Sequence, residues 1–61
     1  MNVVVPRRLL TSREAAERLG VSVDTVRQLH RRGRLPAVRF TPTSRLRFRE
    51  QDVEWLAERL S

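Results

Sequence analysis

A mainly helical domain with one small β-hairpin is the fold class this 61-residue sequence predicts. Three observations predict it. Two helix signals stand only three residues apart, across Gly20, Val21 and Ser22. Between Val38 and Arg49 the apolar period changes from about 3.6 to about 2. From Glu50 onward it returns to helical spacing.

Taken in order, residues 1–8 carry no helical period. Val3-Val4-Val5 has high β-propensity and stops at Pro6, so an arm or short edge strand is expected ahead of a single domain over residues 9–61. Thr11-Ser12-Arg13-Glu14 is a capping-box pattern, in which the Thr11 hydroxyl accepts from the Glu14 N–H and Glu14 reaches back. Ala15, Ala16 and Leu19 then share one face, and Gly20 supplies a left-handed stop. Ser22 caps a second helix whose inward residues are Val26, Leu29 and His30, with Gly33 at its end. Val21 sits in the turn, placed to fill the gap between two steeply crossing helices. Short helices joined in this way make a helix-turn-helix.

After Leu35-Pro36, Val38 and Phe40 alternate with Arg39 and Thr41, and Leu46 and Phe48 alternate with Arg45, Arg47 and Arg49. Thr41-Pro42-Thr43-Ser44 between them has turn chemistry. A hairpin with an apolar inner face and an arginine outer face follows, in the position of a wing, so the expected fold is a winged helix-turn-helix. The last helix, Glu50 to Leu60, has a stripe of Val53, Leu56, Ala57 and Leu60. Its first-turn acids and Arg59 in the last turn suit the helix dipole. Trp55 lies off the stripe, either covering the hairpin base or serving as an exposed anchor for a protein partner.

Composition narrows the function. A chain of this size buries only about 60% of its unfolded surface, which leaves no room for a deep pocket with a positioned catalytic constellation. There is no cysteine and a single histidine, so no cofactor or metal site is expected. No paired carboxylates, nucleophile–base pair or phosphate loop is present, and an enzyme is the poorest reading. The longest apolar run is three valines, far short of a membrane span or signal core, so a cytoplasmic, soluble protein is expected.

The net charge is +6, and all thirteen basic residues are arginine. The absence of lysine carries little weight, because a GC-rich genome produces it. Placement carries more. From Thr25 to Arg49 there is no acid, yet the stretch holds Arg27, Arg31, Arg32, Arg34, Arg39, Arg45, Arg47 and Arg49. Such a segment is suited to a polyanion, nucleic acid before membrane surface.

At about 100° per residue, the outward face of the second helix centres on Asp24, Gln28 and Arg31, with Arg27 and Arg32 at its margins. An ordinary solvated face is the competing reading. Gln28 and Arg31 are the types that make bidentate contacts to adenine and guanine in the major groove. Asp24 would be repelled by phosphates, and fits either cytosine N4 or the orientation of Arg27 or Arg31. The hydroxyls of Ser22, Thr25, Thr43 and Ser44 are phosphate-contact candidates, with capping and turn formation as the alternative. Arg45 and Arg47 are placed to enter or straddle a minor groove. Arg39 and Arg49, farther from the tip, read as solvated, and His30 reads as a core-flank residue.

Leu10-Thr11-Ser12-Arg13-Glu14-Ala15-Ala16-Glu17-Arg18-Leu19-Gly20-Val21-Ser22, with Ser22-Val23-Asp24-Thr25-Val26-Arg27 after it, resembles the excisionase group of small MerR-like winged helix-turn-helix proteins. The resemblance continues through Gly33-Arg34-Leu35-Pro36, the hairpin and an aromatic-Arg-Glu entry to the last helix, over about residues 9–60. It implies a phage or mobile-element recombination directionality factor. Such a factor binds adjacent DNA sites head to tail, bends the DNA and recruits a tyrosine integrase that does the chemistry. It also implies that Asp24, Gln28 and Arg31 occupy major-groove positions and the hairpin arginines the wing. Thr41-Pro42-Thr43-Ser44 replaces the group's glycine-rich wing tip, and the long dimerising helix of full-length MerR regulators does not follow within this sequence. A small MerR-like transcriptional regulator and a module whose arginines meet an acidic protein remain as alternatives. Val3-Val4-Val5 is expected to pair with a neighbouring protomer on DNA.

Overall fold

Local hydrogen bonding at helix ends sets the frame. The structure, a computed structural model, describes residues 9–39 and 41–60. The Val3–Val5 arm and Phe40 lie outside the described residues. Within them the order is β1 (Leu9–Leu10), α1 (Ser12–Leu19), α2 (Val23–Arg31), β2 (Phe48–Arg49) and α3 (Glu50–Leu60).

The capping box forms as expected. Thr11 Oγ1 accepts from the Glu14 N–H at 3.1 Å, and Glu14 Oε1 accepts from the Thr11 N–H at 2.9 Å. Gly20, at φ 72°, ends α1 in a Schellman motif: its N–H donates to the Glu17 carbonyl and that of Val21 to Ala16. A side chain at that φ would strain the backbone, which is why glycine stands there. The same motif ends α2, where Gly33 at φ 76° donates to His30 and Arg34 donates to Leu29. The helix itself stops at Arg31 with Arg32 as its cap. Only Gly20, Val21 and Ser22 separate α1 from α2, and Val21 packs against the core.

The core consists of Leu10, Ala15, Ala16, Val26, Leu35, Phe48, Val53 and Leu56, contributed by every element and by the loop after α2. α1 packs against both α2 and α3. Small Ala15 and Ala16 on the shared face of α1 permit that close double contact. Arg18 on α1 fastens α3 from outside, donating to Glu50 at 2.9 Å and Glu54 at 3.2 Å. The Glu50 hydrogen bond, outweighing a smaller desolvation, raises the Arg18 pKa above its ordinary value.

Two expectations need correction. Among the described residues the strand ladder does not lie within the hairpin, which one bridge, Val38 to Arg47, closes through N–H···O bonds of 2.7 and 2.9 Å. The laddered pair is β1 with β2, antiparallel, Leu9 opposite Arg49 and Leu10 opposite Phe48. Leu10 and Phe48 are both fully buried, so the pairing is the one that takes two large apolar side chains out of water together. Leu60 does not join the stripe of α3 in the core, since it remains 52% exposed on a helix that runs a turn past the last buried residue, Leu56.

Candidate nucleic-acid interface

α2 presents its polar side outward because Val26 anchors the opposite side at zero exposure, with Leu29 packed beside it. His30 is fixed on the inner flank, where Nδ1 donates to the Leu35 carbonyl at 2.9 Å and the ring meets Phe48 edge-on at 6.2 Å. These contacts settle the rotation of the helix. Asp24, Gln28 and Arg31 are all exposed, and Gln28, Arg31 and Arg32 border a shallow depression at the end of the helix. Asp24 faces Arg27, with Oδ1 3.7 Å from Nη1. Of the roles open to Asp24, orienting Arg27 is thus the one with a contact in the free protein.

The hydroxyls divide by workload. Ser22 Oγ accepts from the Thr25 N–H at 3.1 Å and lies 2.9 Å from Thr25 Oγ1, so both residues form the N-cap of α2. Ser44 Oγ closes the hairpin tip, accepting from the Thr41 N–H at 2.7 Å and donating to the Thr41 carbonyl at 3.0 Å. Thr43 is exposed at that tip. Capping and turn formation therefore account for Ser22, Thr25 and Ser44 in the free protein, and Thr43 carries no such duty beyond a 3.4 Å approach to Thr41.

The arginines converge. A concavity of about 560 Å³ opens between the start of α1, the first turns of α2 and the hairpin. Its lining includes Arg13 and Arg27 from the two helices and Arg39, Arg45 and Arg47 from the hairpin, together with Thr11, Ser12, Val23 and Leu46. No carboxylate is among the lining residues. Arg47 is half-buried and donates to the Leu46 carbonyl at 3.1 Å, while Arg39 reaches the Pro42 carbonyl at 3.4 Å. Like charges gathered on a concave wall focus a positive potential into it. Arg49 is turned to Asp52 at 3.7 Å and takes no part.

A family model described as a helix-turn-helix domain matches residues 9–61. The chain belongs to that helix-turn-helix family. No curated protein and no solved structure matches it at a significant level. Three helices with a small antiparallel sheet and a bridged hairpin give this helix-turn-helix domain its winged form, and family membership supports DNA binding.

Sequence reasoning singled out Arg27, Arg45 and Arg47, but it missed Arg13 and set Arg39 aside. Arg39 was hidden because its distance from the hairpin tip says nothing about which wall it faces. Arg13 did leave a signal: it is a cation in the first turn of a helix, where the dipole disfavours positive charge. Trp55 is 53% exposed and carries the Arg59 guanidinium over its ring at 4.1 Å. No helix among the described residues is long and apolar enough to cross a membrane.

Proposed function

We propose that this helix-turn-helix protein is a sequence-specific architectural factor for double-stranded DNA, of the excisionase type. Copies occupy adjacent sites head to tail and cooperatively, bend the duplex and favour excision by a tyrosine integrase, which supplies the catalysis. In this reading α2 lies in the major groove and reads bases through Asp24, Gln28 and Arg31, with Arg27 at its flank. Arg45 and Arg47, with Thr43 and Ser44 at the tip, hold the hairpin to the neighbouring backbone and minor groove. Ser22 and Thr25 fix the register of α2 on the phosphates.

The observation that carries the reading is the acid-free, arginine-lined concavity placed directly between an exposed helix face of base-reading side-chain types and the hairpin. A duplex laid along α2 brings its charged backbone into that concavity. The test is a gel-shift titration on DNA flanking the protein's own gene and any nearby attachment site, using circularly permuted fragments. Stepwise cooperative shifts with position-dependent mobility are expected. One unbent complex at a promoter would replace the excision role with that of a transcriptional regulator, and no shift at low salt would overturn DNA binding. Deleting residues 1–5 is expected to lower cooperativity more than single-site affinity in the same titration.

A further inference from the structure

Arg13 is a costly residue where it stands. α1 is eight residues long, its N-cap is fully formed by Thr11 and Glu14, and its first turn holds Glu14, the charge that the dipole favours. A second position in the same turn is nonetheless an exposed arginine. Its surroundings add to the cost, because Arg13 shares the concavity with Arg27, Arg39, Arg45 and Arg47 and no carboxylate lines it, although Asp24 faces Arg27 from outside at 3.7 Å. Other arginines of this chain are differently placed: Arg18 holds Glu50 and Glu54, and Arg49 faces Asp52. An arrangement that opposes both the dipole and its neighbours is stabilised by an anion that fills it.

From this we infer that the concavity is a phosphate seat, in which Arg13 of α1 and Arg39 of the hairpin grip a phosphodiester segment from two sides while Arg27 contacts it from α2. At about 560 Å³, against a water's share of about 30 Å³, it has room for a stretch of backbone with its hydration. Resting on the DNA-binding reading above, it adds α1 to the interface and gives the seat a chemistry of its own: phosphate oxyanions, supplied by a DNA backbone or by free phosphate. The guanidinium fork suits either source. Because phosphates carry no sequence information, Arg13 and Arg39 contribute affinity without base preference.

The variants Arg13→Gln and Arg39→Gln test this on the full chain, by thermal melting without ligand, by titration with a mixed-sequence duplex over a range of salt, and by melting in inorganic phosphate against chloride at matched ionic strength. Arg13→Gln is expected to melt about 2 °C higher than wild type when nothing is bound, since a charge opposed to the dipole is removed. It is expected to bind the duplex about tenfold more weakly, with the salt slope reduced by about one. Arg39→Gln is expected to lose duplex affinity similarly. Phosphate stabilises folded proteins in general by exclusion, so the informative quantity is the shift in wild type minus that in the variant. A difference in the phosphate arm alone assigns the seat to the free ion, and a loss in the duplex arm alone assigns it to DNA. If both variants keep wild-type duplex affinity, salt slope and phosphate response, the seat is wrong although DNA binding stands. If wild type fails to bind duplex yet shows the phosphate difference, the seat survives and the DNA-binding reading falls.

Discussion

Arg31 and Arg47 carry the same guanidinium to different parts of a docked duplex, so removing each separates reading from holding. Arg31 is exposed on the outward face of α2, beyond the concavity, where a planar fork can meet a guanine edge. Arg47 is half-buried on the hairpin, tethered to the Leu46 carbonyl, with its charge in the concavity wall. On the proposed docking, Arg31→Ala costs about 1–3 kcal/mol on the preferred site and relaxes base preference there, whereas Arg47→Ala weakens all duplexes alike. Competition titrations against single-base-pair variants of the site check this, and uniform loss from both changes would take the reading role away from α2. Asp24 belongs to the same scale. Its 3.7 Å approach to Arg27 gives the lone acid of this face a partner before any DNA arrives.

Among the elements, α1 has the least room for error. It spans two turns, too short to persist without its cap and its tertiary contacts. Thr11→Ala removes the hydroxyl that accepts from the Glu14 N–H, and a loss of about 1 kcal/mol is expected from chemical denaturation. Arg18 ties the same helix to α3 through two carboxylates at the surface. Arg18→Ala is expected to lower the melting temperature at low salt and to matter less as salt rises, because exposed ion pairs are screened. The raised pKa of Arg18 fixes the sign of its pH dependence. Its stabilisation is fully present below the ordinary arginine pKa and is lost only as pH rises through the higher folded-state value, so neutral and acid pH leave this guanidinium charged.

For the molecule as a whole, charge and marginal stability decide the measurable behaviour. Arg13, Arg27, Arg31, Arg39, Arg45 and Arg47 lie on or beside the concavity and the reading face. If about six phosphates are neutralised, log affinity falls against log salt with a slope of about −5. A slope near zero in that titration would be incompatible with backbone contact by these residues. The fold itself depends on few large side chains. Phe48 is fully buried where β2, His30 and the core meet, and Phe48→Ala is expected to cost about 3–5 kcal/mol. Folding free energies run at about 0.05–0.15 kcal/mol per residue, so a chain this short has little beyond that to lose. Circular dichroism is expected to show the variant largely unfolded at room temperature.

Sequence alone determined the features whose physics is local. The capping box at Thr11, the glycine stops at Gly20 and Gly33, the inward set of Val26, Leu29 and His30, and the acid-free arginine segment all follow from hydrogen bonds, dihedral preferences and periods spanning a few residues. Tertiary structure decided the rest. Leu9–Leu10 is too short to show a strand period, and only the burial of Leu10 beside Phe48, nearly forty positions away, makes it a strand. Arg13, Arg27 and Arg39 belong to three separate segments, and local spacing makes a contact candidate of Arg27 alone among them. Their convergence on one concavity depends on the angles at which α1, α2 and the hairpin pack around a shared core. Those angles are set by contacts between segments distant in the chain, which no local period records.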